Sequence, residues 1–203
     1  PAPVGDNPSL LSFENAITLF HEFGHAMHGI LTDVTYGSMA GTSGPRDFIE
    51  LPSQLLEHWV SEPEVLKSFA THYETGETIP DELIEKLLKA GKFNQGFINT
   101  EYLAASLLDM DWHTMSAVDA QDISNNFEKN SMNKIGLIDE IAPRYRSTYF
   151  AHIFSGGYSS GYYSYVHAAV LDSDAFEAFK EVGNVFDPEL SSKLRKEIYE
   201  KGS

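Results

Sequence analysis

Cysteine is absent from the 203 residues of this sequence. The chain therefore forms no disulfide, binds no metal through thiolates and has no cysteine nucleophile. Any metal site must instead be built from histidine and carboxylate side chains, which are the other common ligands of zinc. Because disulfide-free chains suit a reducing compartment, we expect a cytoplasmic protein.

Basic residues are scarce in the sequence. The chain has 14 Lys and Arg residues against 30 Asp and Glu residues, which gives a net charge of −16 at pH 7. A surface of this sign repels a phosphate backbone, so we do not expect nucleic acid to be a partner.

Long hydrophobic runs are also absent. No apolar stretch approaches the roughly 20 residues that a helix needs to cross a bilayer, and no basic segment precedes an apolar core at the start of the chain. We therefore expect neither a membrane partner nor a signal peptide. The 42% hydrophobic and 22% charged residues that are present are typical of a globular protein with a sizeable core.

Apolar periodicity predicts a mainly α protein. A first helix is expected over residues 13–31, and its core-facing stripe should consist of Phe13, Ile17, Phe20, Phe23, Met27 and Ile30. Further helices are predicted at residues 47–60, 64–73, 81–90, 93–115, 162–179 and 188–200, with shorter helices within 119–142. Residues 34–42 are rich in β-formers and small side chains, which predicts a short β ribbon.

The first predicted helix contains the motif His21-Glu22-Phe23-Gly24-His25. Positions four apart lie on one helix face, so His21 and His25 can direct two imidazoles at one ion. Glu22 lies about 100° further round the helix, where its carboxylate can stand beside the ion without binding it. This arrangement suits zinc and a nearby proton acceptor, although an amphipathic helix with solvent-facing histidines would show the same pattern.

A catalytic zinc ion usually has three protein ligands, so a third ligand must lie elsewhere in the sequence. Glu50, at the start of the next predicted helix, is the preferred candidate, and Glu57 and Asp47 compete with it. His28 is a poor candidate because it lies about 10 Å along the helix axis from His21. We interpret His28 as a surface residue or as one that supports a ligand.

A second unusual stretch, the glycine–tyrosine segment, spans residues 145–165 and contains six tyrosines, three glycines and one histidine. Glycine allows close approach of the backbone and a mobile loop. Neutral tyrosine hydroxyls donate hydrogen bonds, and such donors can stabilise a carbonyl oxygen that becomes negative in a transition state. Without the histidine motif, an aromatic core turn followed by a helix would be the better explanation.

Together these motifs resemble the thimet oligopeptidase (M3) family of zinc metallopeptidases. The resemblance rests on His21-Glu-Phe-Gly-His25, on Gly41-Thr42 and on Pro45-Arg-Asp-Phe-Ile-Glu50-Leu-Pro-Ser-Gln54. It implies one zinc ion per chain, held by His21, His25 and Glu50. It also implies that Glu22 is the general base.

The same resemblance implies roles for the glycine–tyrosine segment. In the family, a glycine-rich loop with a histidine and tyrosines contacts the substrate and the developing oxyanion, and a segment after the motif helix pairs with the substrate backbone by β-augmentation. The matching positions with catalytic roles are His152, Tyr158 and Tyr165, and those expected to contact substrate are Tyr162, Gly156, Gly157, Ala40 and Gly41.

Details favour the bacterial peptidyl-dipeptidase branch of the family, which releases dipeptides from the C-terminal ends of peptides. The run Leu107-Leu-Asp-Met-Asp-Trp-His113 and residues 144–154 are similar to that branch. Arg144 and Arg146 are then candidates to bind the free carboxylate of the substrate. The alternatives are an endopeptidase of the oligopeptidase A or thimet type, a catalytically inactive fragment, and an acidic helical binding module without metal.

The resemblance covers residues 1–203, but chains of the family are several times longer. It therefore implies a zincin-type catalytic segment, mainly α with a small β ribbon, within a larger two-lobed helical peptidase. The N-terminal helical region and the extreme C-terminus of such a peptidase would be absent. That N-terminal region would then be a partner of this segment, together with short peptide substrates.

Overall fold

A computed structural model describes residues 2–3, 5–6, 8–116 and 126–202. Its helices are α1 (Phe13–Leu31), α2 (Arg46–Val60), α3 (Pro63–Phe69), α4 (Asp81–Ala90), α5 (Gln95–His113), α6 (Phe127–Lys134), α7 (Ala151–Phe154), α8 (Ser164–Val182) and α9 (Pro188–Leu194). The prediction of a mainly α fold is confirmed. Residues 117–125 lie outside the described residues, so the part of the predicted region of shorter helices at 119–125 is not described. Among the described helices, none is long and apolar enough to span a bilayer.

The chain divides into two compact units. The first comprises Pro1–Phe93 and Ala168–Ser203, and the second comprises Asn94–His167. The first unit therefore holds α1 to α4, α9 and most of α8, together with the histidine motif. The second unit holds α5 to α7 and the glycine–tyrosine segment.

Local side chains fix where two helices of the first unit begin. The Ser12 hydroxyl accepts a hydrogen bond from the Asn15 amide (3.2 Å), and the Asn15 side chain accepts one from the Ser12 amide (3.3 Å), so α1 starts at a capping box. Pro188 opens α9 after Asp187, whose carboxylate accepts two amides of the first turn at 2.9 and 3.1 Å.

Helix α1 packs chiefly on α2, and Gly24 is the point of closest approach. A Cβ added at Gly24 would lie 2.6 Å from the Pro52 carbonyl oxygen and 2.6 Å from Ser53 Cα. Both neighbours are backbone atoms, which cannot rotate away. Glycine is therefore required here, although it is about 1 kcal/mol less favourable than alanine inside a helix.

The buried face of α1 differs from the predicted stripe. Ala16, Gly24 and His28 are buried, whereas Phe23 and Ile30 are 53% and 73% exposed. The prediction was wrong for these two side chains because the close approach at Gly24 turns the histidine face of α1 toward α2. The aromatic stripe consequently lies partly open.

The predicted β ribbon at residues 34–42 is not formed. The stretch contains two 3₁₀ turns instead, Gly37–Met39 and Gly41–Ser43, and across the described residues the β pairing is limited to one isolated bridge between Thr71 and Thr78. The segment turns back on the end of α1 rather than pairing with a strand. Gly41 adopts a φ of +53°, packs against Gly29, and donates its amide hydrogen to Thr32 Oγ1 (3.0 Å).

The core of the second unit is built on α5. Its two buried clusters comprise Ala105, Phe150, Ile153 and Tyr162 in one, and Ala104, Leu108 and Met132 in the other. Trp112 packs against both clusters, and its indole N–H donates to Ser147 Oγ (2.9 Å). The predicted long helix at 93–115 is thus the scaffold on which the glycine–tyrosine segment is mounted.

Candidate metal centre

Three ligand atoms converge in the first unit. The Nε2 atoms of His21 and His25 lie 3.4 and 3.5 Å from Glu50 Oε2. The two imidazole rings are 4.9 Å apart and nearly perpendicular. His21 and His25 come from successive turns of α1, and Glu50 comes from the first half of α2. Among the described residues, this is the one group of three His, Asp or Glu side chains with a geometry that could hold a metal ion.

The spacing of these atoms fits a zinc ion. Tetrahedral zinc bonds of about 2.0–2.2 Å to nitrogen and oxygen place neighbouring ligand atoms about 3.3 Å apart. The observed 3.4 and 3.5 Å are close to that value. They exceed the roughly 2.7–2.9 Å of a charge-assisted hydrogen bond between the same groups. Two imidazoles and one carboxylate also form a common ligand set of catalytic zinc.

Glu50 is almost completely buried, with 1% of its surface exposed. The Ser53 hydroxyl lies 2.8 Å from the Glu50 carbonyl oxygen and 3.2 Å from Glu50 Oε2, so it can donate to either. A buried carboxylate is unfavourable unless hydrogen bonds or an opposite charge compensate for its lost hydration. A divalent cation beside the two imidazoles would supply that charge.

Glu57 contacts the outer nitrogen of one ligand. His21 Nδ1 donates to Glu57 Oε1 at 2.7 Å, which leaves the Nε2 lone pair of His21 directed at Glu50. Burial lowers the pKa of His21, but the hydrogen bond to Glu57 and the charges of Glu57, Glu50 and Glu22 outweigh it and raise the pKa above its usual value. The sequence pattern proposed Glu57 as a competing ligand and did not identify this supporting contact. Its position two helical turns after Glu50 was the available signal.

His28 is a core residue, not a surface residue. Its side chain is fully buried. Its ring lies edge-on to the rings of Phe48 and Tyr199, with ring centres 6.0 and 6.1 Å away. Its Nε2 forms a hydrogen bond of 3.0 Å with the Gly202 carbonyl oxygen. Of the two alternatives predicted for this histidine, the surface position was wrong, because Phe48 of α2 and the chain at Tyr199 and Gly202 cover this turn of α1. Burial lowers the pKa of His28 below its usual value, despite the bond to Gly202.

In the second unit, the predicted site residues of the glycine–tyrosine segment form one aromatic cluster. The Tyr158 and Tyr165 rings are stacked at 5.4 Å, and the His152 ring lies 5.9 and 6.2 Å from them. Tyr162 is 1% exposed and stacks on Tyr102 at 5.2 Å. Burial and the neighbouring Tyr102 raise the pKa of Tyr162, so its hydroxyl stays neutral. Tyr162 is therefore a packing residue of this core.

At two positions of the segment, the backbone requires glycine. A Cβ at Gly156 would lie 2.9 Å from both the Cα and the carbonyl oxygen of His152. Gly157 adopts a φ of +81°, which side-chain-bearing residues rarely adopt. These positions let the chain fold back tightly over α7.

Both candidate arginines have carboxylate partners within the second unit. Arg144 Nη1 lies 3.2 Å from Glu101 Oε1, and its guanidinium lies 5.0 Å from the centre of the Tyr102 ring. Arg146 pairs with Glu128, which also accepts the amide (2.8 Å) and hydroxyl (3.0 Å) of Ser147. A substrate carboxylate would have to share or displace these partners.

Comparison with known sequences agrees with the motifs. The chain matches the model of peptidase family M3 over residues 1–203. It is 42% identical to a dipeptidyl carboxypeptidase of Escherichia coli over 202 residues, which cover 99% of this chain and 30% of that relative. It is 45% identical over 184 residues to a dipeptidyl carboxypeptidase of Salmonella typhimurium, covering 90% of this chain and 27% of that relative.

An oligopeptidase A of Haemophilus influenzae is 38% identical over 203 residues, which cover 99% of this chain and 30% of the relative. The chain thus spans about 30% of the length of the curated relatives that it matches. The family resemblance inferred from the motifs is confirmed by the family model and by these identities. The chain belongs to peptidase family M3.

Proposed function

We propose that this chain carries the zinc centre of a metallopeptidase that hydrolyses short peptides and releases dipeptides from their C-terminal ends. The observation that carries the proposal is the convergence of His21, His25 and Glu50 on one point. Membership of peptidase family M3 supports peptide hydrolysis, and the two dipeptidyl carboxypeptidase relatives support the dipeptide product. Because the chain spans only about 30% of those relatives, the activity of the whole protein is part of the proposal.

One zinc ion would be held by His21, His25 and Glu50, and when bound it would polarise the scissile carbonyl and lower the pKa of water. Glu22 follows His21 on α1, and its side chain is exposed. Its carboxylate accepts a proton from the attacking water and later donates that proton to the leaving amine. Glu57 keeps the His21 ring in the orientation that presents Nε2.

The hydroxyls of Tyr158 and Tyr165 are proposed to donate hydrogen bonds to the substrate carbonyl oxygen as it becomes negative. Their stacking and the adjacent His152 ring support this assignment, because restrained donors need little reorganisation during the reaction. His152 is proposed to contact substrate beside them. Tyr162 acts from the core by supporting the segment, and Gly156 and Gly157 allow its tight backbone.

Arg144 and Arg146 are proposed to recognise the free carboxylate of the peptide through charge-assisted hydrogen bonds. If one of them does, its replacement by glutamine raises KM for free-acid peptides more than for the matching C-terminal amides. Equal effects on both peptides would contradict the assignment.

An endopeptidase of the oligopeptidase A type is the second candidate, because the similarity to oligopeptidase A also extends over 99% of the chain. Mass spectrometry of a peptide digest separates the two functions. The chain loaded with one equivalent of zinc should release dipeptides stepwise from the C-terminal end. Internal cleavage without dipeptides would favour the endopeptidase, and zinc binding without any product would contradict activity of this chain by itself.

The role of Glu22 is tested by Glu22→Gln. This variant should bind zinc as the wild type does and lose peptide hydrolysis by a factor of about 10²–10⁴. Glu14→Gln is a matched control, since Glu14 lies in the first turn of the same helix and is exposed. Full activity of Glu22→Gln would contradict its assignment as the proton acceptor.

A further inference from the structure

Asp109 is a fully buried carboxylate that the proposed chemistry does not use. It lies near the end of α5 and has three donors around it. Its Oδ1 accepts the Ser160 amide (2.9 Å) and faces His113 Nδ1 (2.7 Å), and its Oδ2 accepts the Tyr162 amide (2.9 Å). A buried carboxylate persists only when such hydrogen bonds replace its hydration.

The donors opposite Asp109 come from the tight bend of the glycine–tyrosine segment. Ser160 adopts a φ of +55°, a left-handed conformation that is unfavourable for a residue with a Cβ. Two further amides of the bend have local acceptors: Tyr158 donates to the His152 carbonyl (2.9 Å), and Gly161 donates to the Tyr158 carbonyl (2.8 Å). The amides of Ser160 and Tyr162 have their acceptor outside the bend, on Asp109 of α5.

The aromatic residues of the segment lie on and around this bend. The buried Tyr162 ring stacks on Tyr102 from α5, and the Tyr158 ring stacks on Tyr165. A carboxylate that fixes the amides of residues 160 and 162 therefore also fixes the backbone from which Tyr158 and Tyr162 project.

We propose that Asp109 is a positioning residue that holds the bend at residues 158–162 and thereby the Tyr158–Tyr165 pair. The catalytic meaning of this role rests on the proposed function of these tyrosines, whereas the anchoring itself does not. His113 completes the anchor by donating Nδ1–H to the Asp109 carboxylate, since its other neighbour there is a carbonyl oxygen.

Amide hydrogen exchange, followed by NMR on the whole chain, tests the anchor. In the wild type, the Ser160 and Tyr162 amides should be protected although they belong to a bend. Rapid exchange of both would overturn the proposal without any variant. In Asp109→Asn, an NH₂ group replaces one acceptor, and exchange of these two amides should accelerate at least about tenfold.

The control is Asp111→Asn, because Asp111 lies on the same helix but binds Ser131 and Lys134 instead of the bend. Its exchange at residues 158–162 should match the wild type. In Asp109→Asn, the α5 amides of residues 104–108 should keep their protection, since a positioning role loosens only the bend. Equal acceleration in α5 and in the bend would overturn the proposal in favour of a general structural role.

Zinc content and peptide hydrolysis are measured on the same samples. Asp109→Asn should keep the zinc content of the wild type, because the three ligands belong to the other unit. If the chain binds no zinc or releases no peptide, the proposed function fails while the exchange result still decides the role of Asp109.

Discussion

The candidate metal centre of the first unit and the glycine–tyrosine segment of the second are assembled in different ways. The candidate metal ligands project from two regular helices, and one close approach at Gly24 brings those helices together. The bend of the glycine–tyrosine segment is held by separate hydrogen bonds, two of them to Asp109. A site on helices follows from the spacing of its residues, whereas a site on a bend depends on partners that are distant in the sequence.

The strongest test of this difference removes one helix-borne ligand. Glu50→Gln should lower zinc affinity by more than roughly 100-fold. Loss of a residue that only supports a ligand lowers affinity by about 10–100-fold, and this variant removes a charged ligand itself. Competition with a chromophoric chelator measures the affinity. Glu64→Gln, an exposed change in the first turn of α3, should leave it unchanged. Equal affinities of Glu50→Gln and wild type would exclude Glu50 from the site.

The helix approach itself is tested by Gly24→Ala. The added Cβ would collide with backbone at Pro52 and Ser53, so α1 and α2 must separate, and we expect a loss of about 1–3 kcal/mol in the free energy of unfolding. Urea unfolding measures the loss, and zinc affinity should fall with it.

Gly29→Ala is the matched control for Gly24→Ala. It lies on the same helix, and nothing lies within 4 Å of its Cβ position. This change should stabilise the protein by about 0.4–1 kcal/mol. If both alanine variants behaved alike, close packing at Gly24 would not be the reason for its glycine.

The supporting contact in the first unit is tested by Glu57→Gln. The variant keeps a hydrogen-bond acceptor for His21 Nδ1 but loses the charge, so zinc affinity should fall toward the low end of the 10–100-fold range, and Glu57→Ala should reach the high end. Zinc titration of the two variants gives the ratio. Identical affinities for both variants and wild type would show that His21 does not depend on Glu57.

Much of the first unit could be predicted from the sequence. The observed helix at Phe13–Leu31 has the predicted bounds. The two motif histidines and Glu50, which the family resemblance selected from several candidates, converge. The buried position of His28 could not be predicted, because helical periodicity does not say which face meets a neighbour. The ribbon at 34–42 was wrong because small residues and β-formers also suit turns when no strand is available to pair with.

In the second unit, the sequence drew attention to the glycine–tyrosine segment but not to the carboxylate that holds its bend. The glycines indicated close approach of the backbone, and the structure shows it at Gly156. The aromatic core turn that was weighed as the alternative explanation is present as well, in the packing of Tyr162. The anchor could not be recognised, because Asp109 and Ser160 are 51 positions apart in the sequence and α5 contains two other acidic residues, Glu101 and Asp111. Only the folded chain shows which carboxylate faces the bend.

The smallest predicted effect is the contribution of His28 to the pH dependence of stability. His28 lies on the face of α1 whose burial the sequence pattern did not predict. Burial lowers the pKa of His28, so the folded protein takes up this proton below the usual value of 6.5, whereas the unfolded chain takes it up near 6.5. The stability of the metal-free protein should therefore fall as the pH drops below 6.5, by at most about 1.4 kcal/mol per pH unit from this residue.

The variant that isolates this contribution is His28→Gln, whose amide can still donate to the Gly202 carbonyl oxygen. It should be less stable than the wild type at pH 8, because it loses the ring contacts with Phe48 and Tyr199. Its free energy of unfolding should nevertheless decline less steeply below pH 6.5 than that of the wild type. The two slopes should differ by up to about 1.4 kcal/mol per pH unit, which corresponds to one bound proton. Urea unfolding in a chelator at several pH values gives both slopes. Parallel slopes would mean that His28 has the same pKa in the folded and the unfolded chain. Its burial would then not contribute to the loss of stability at low pH.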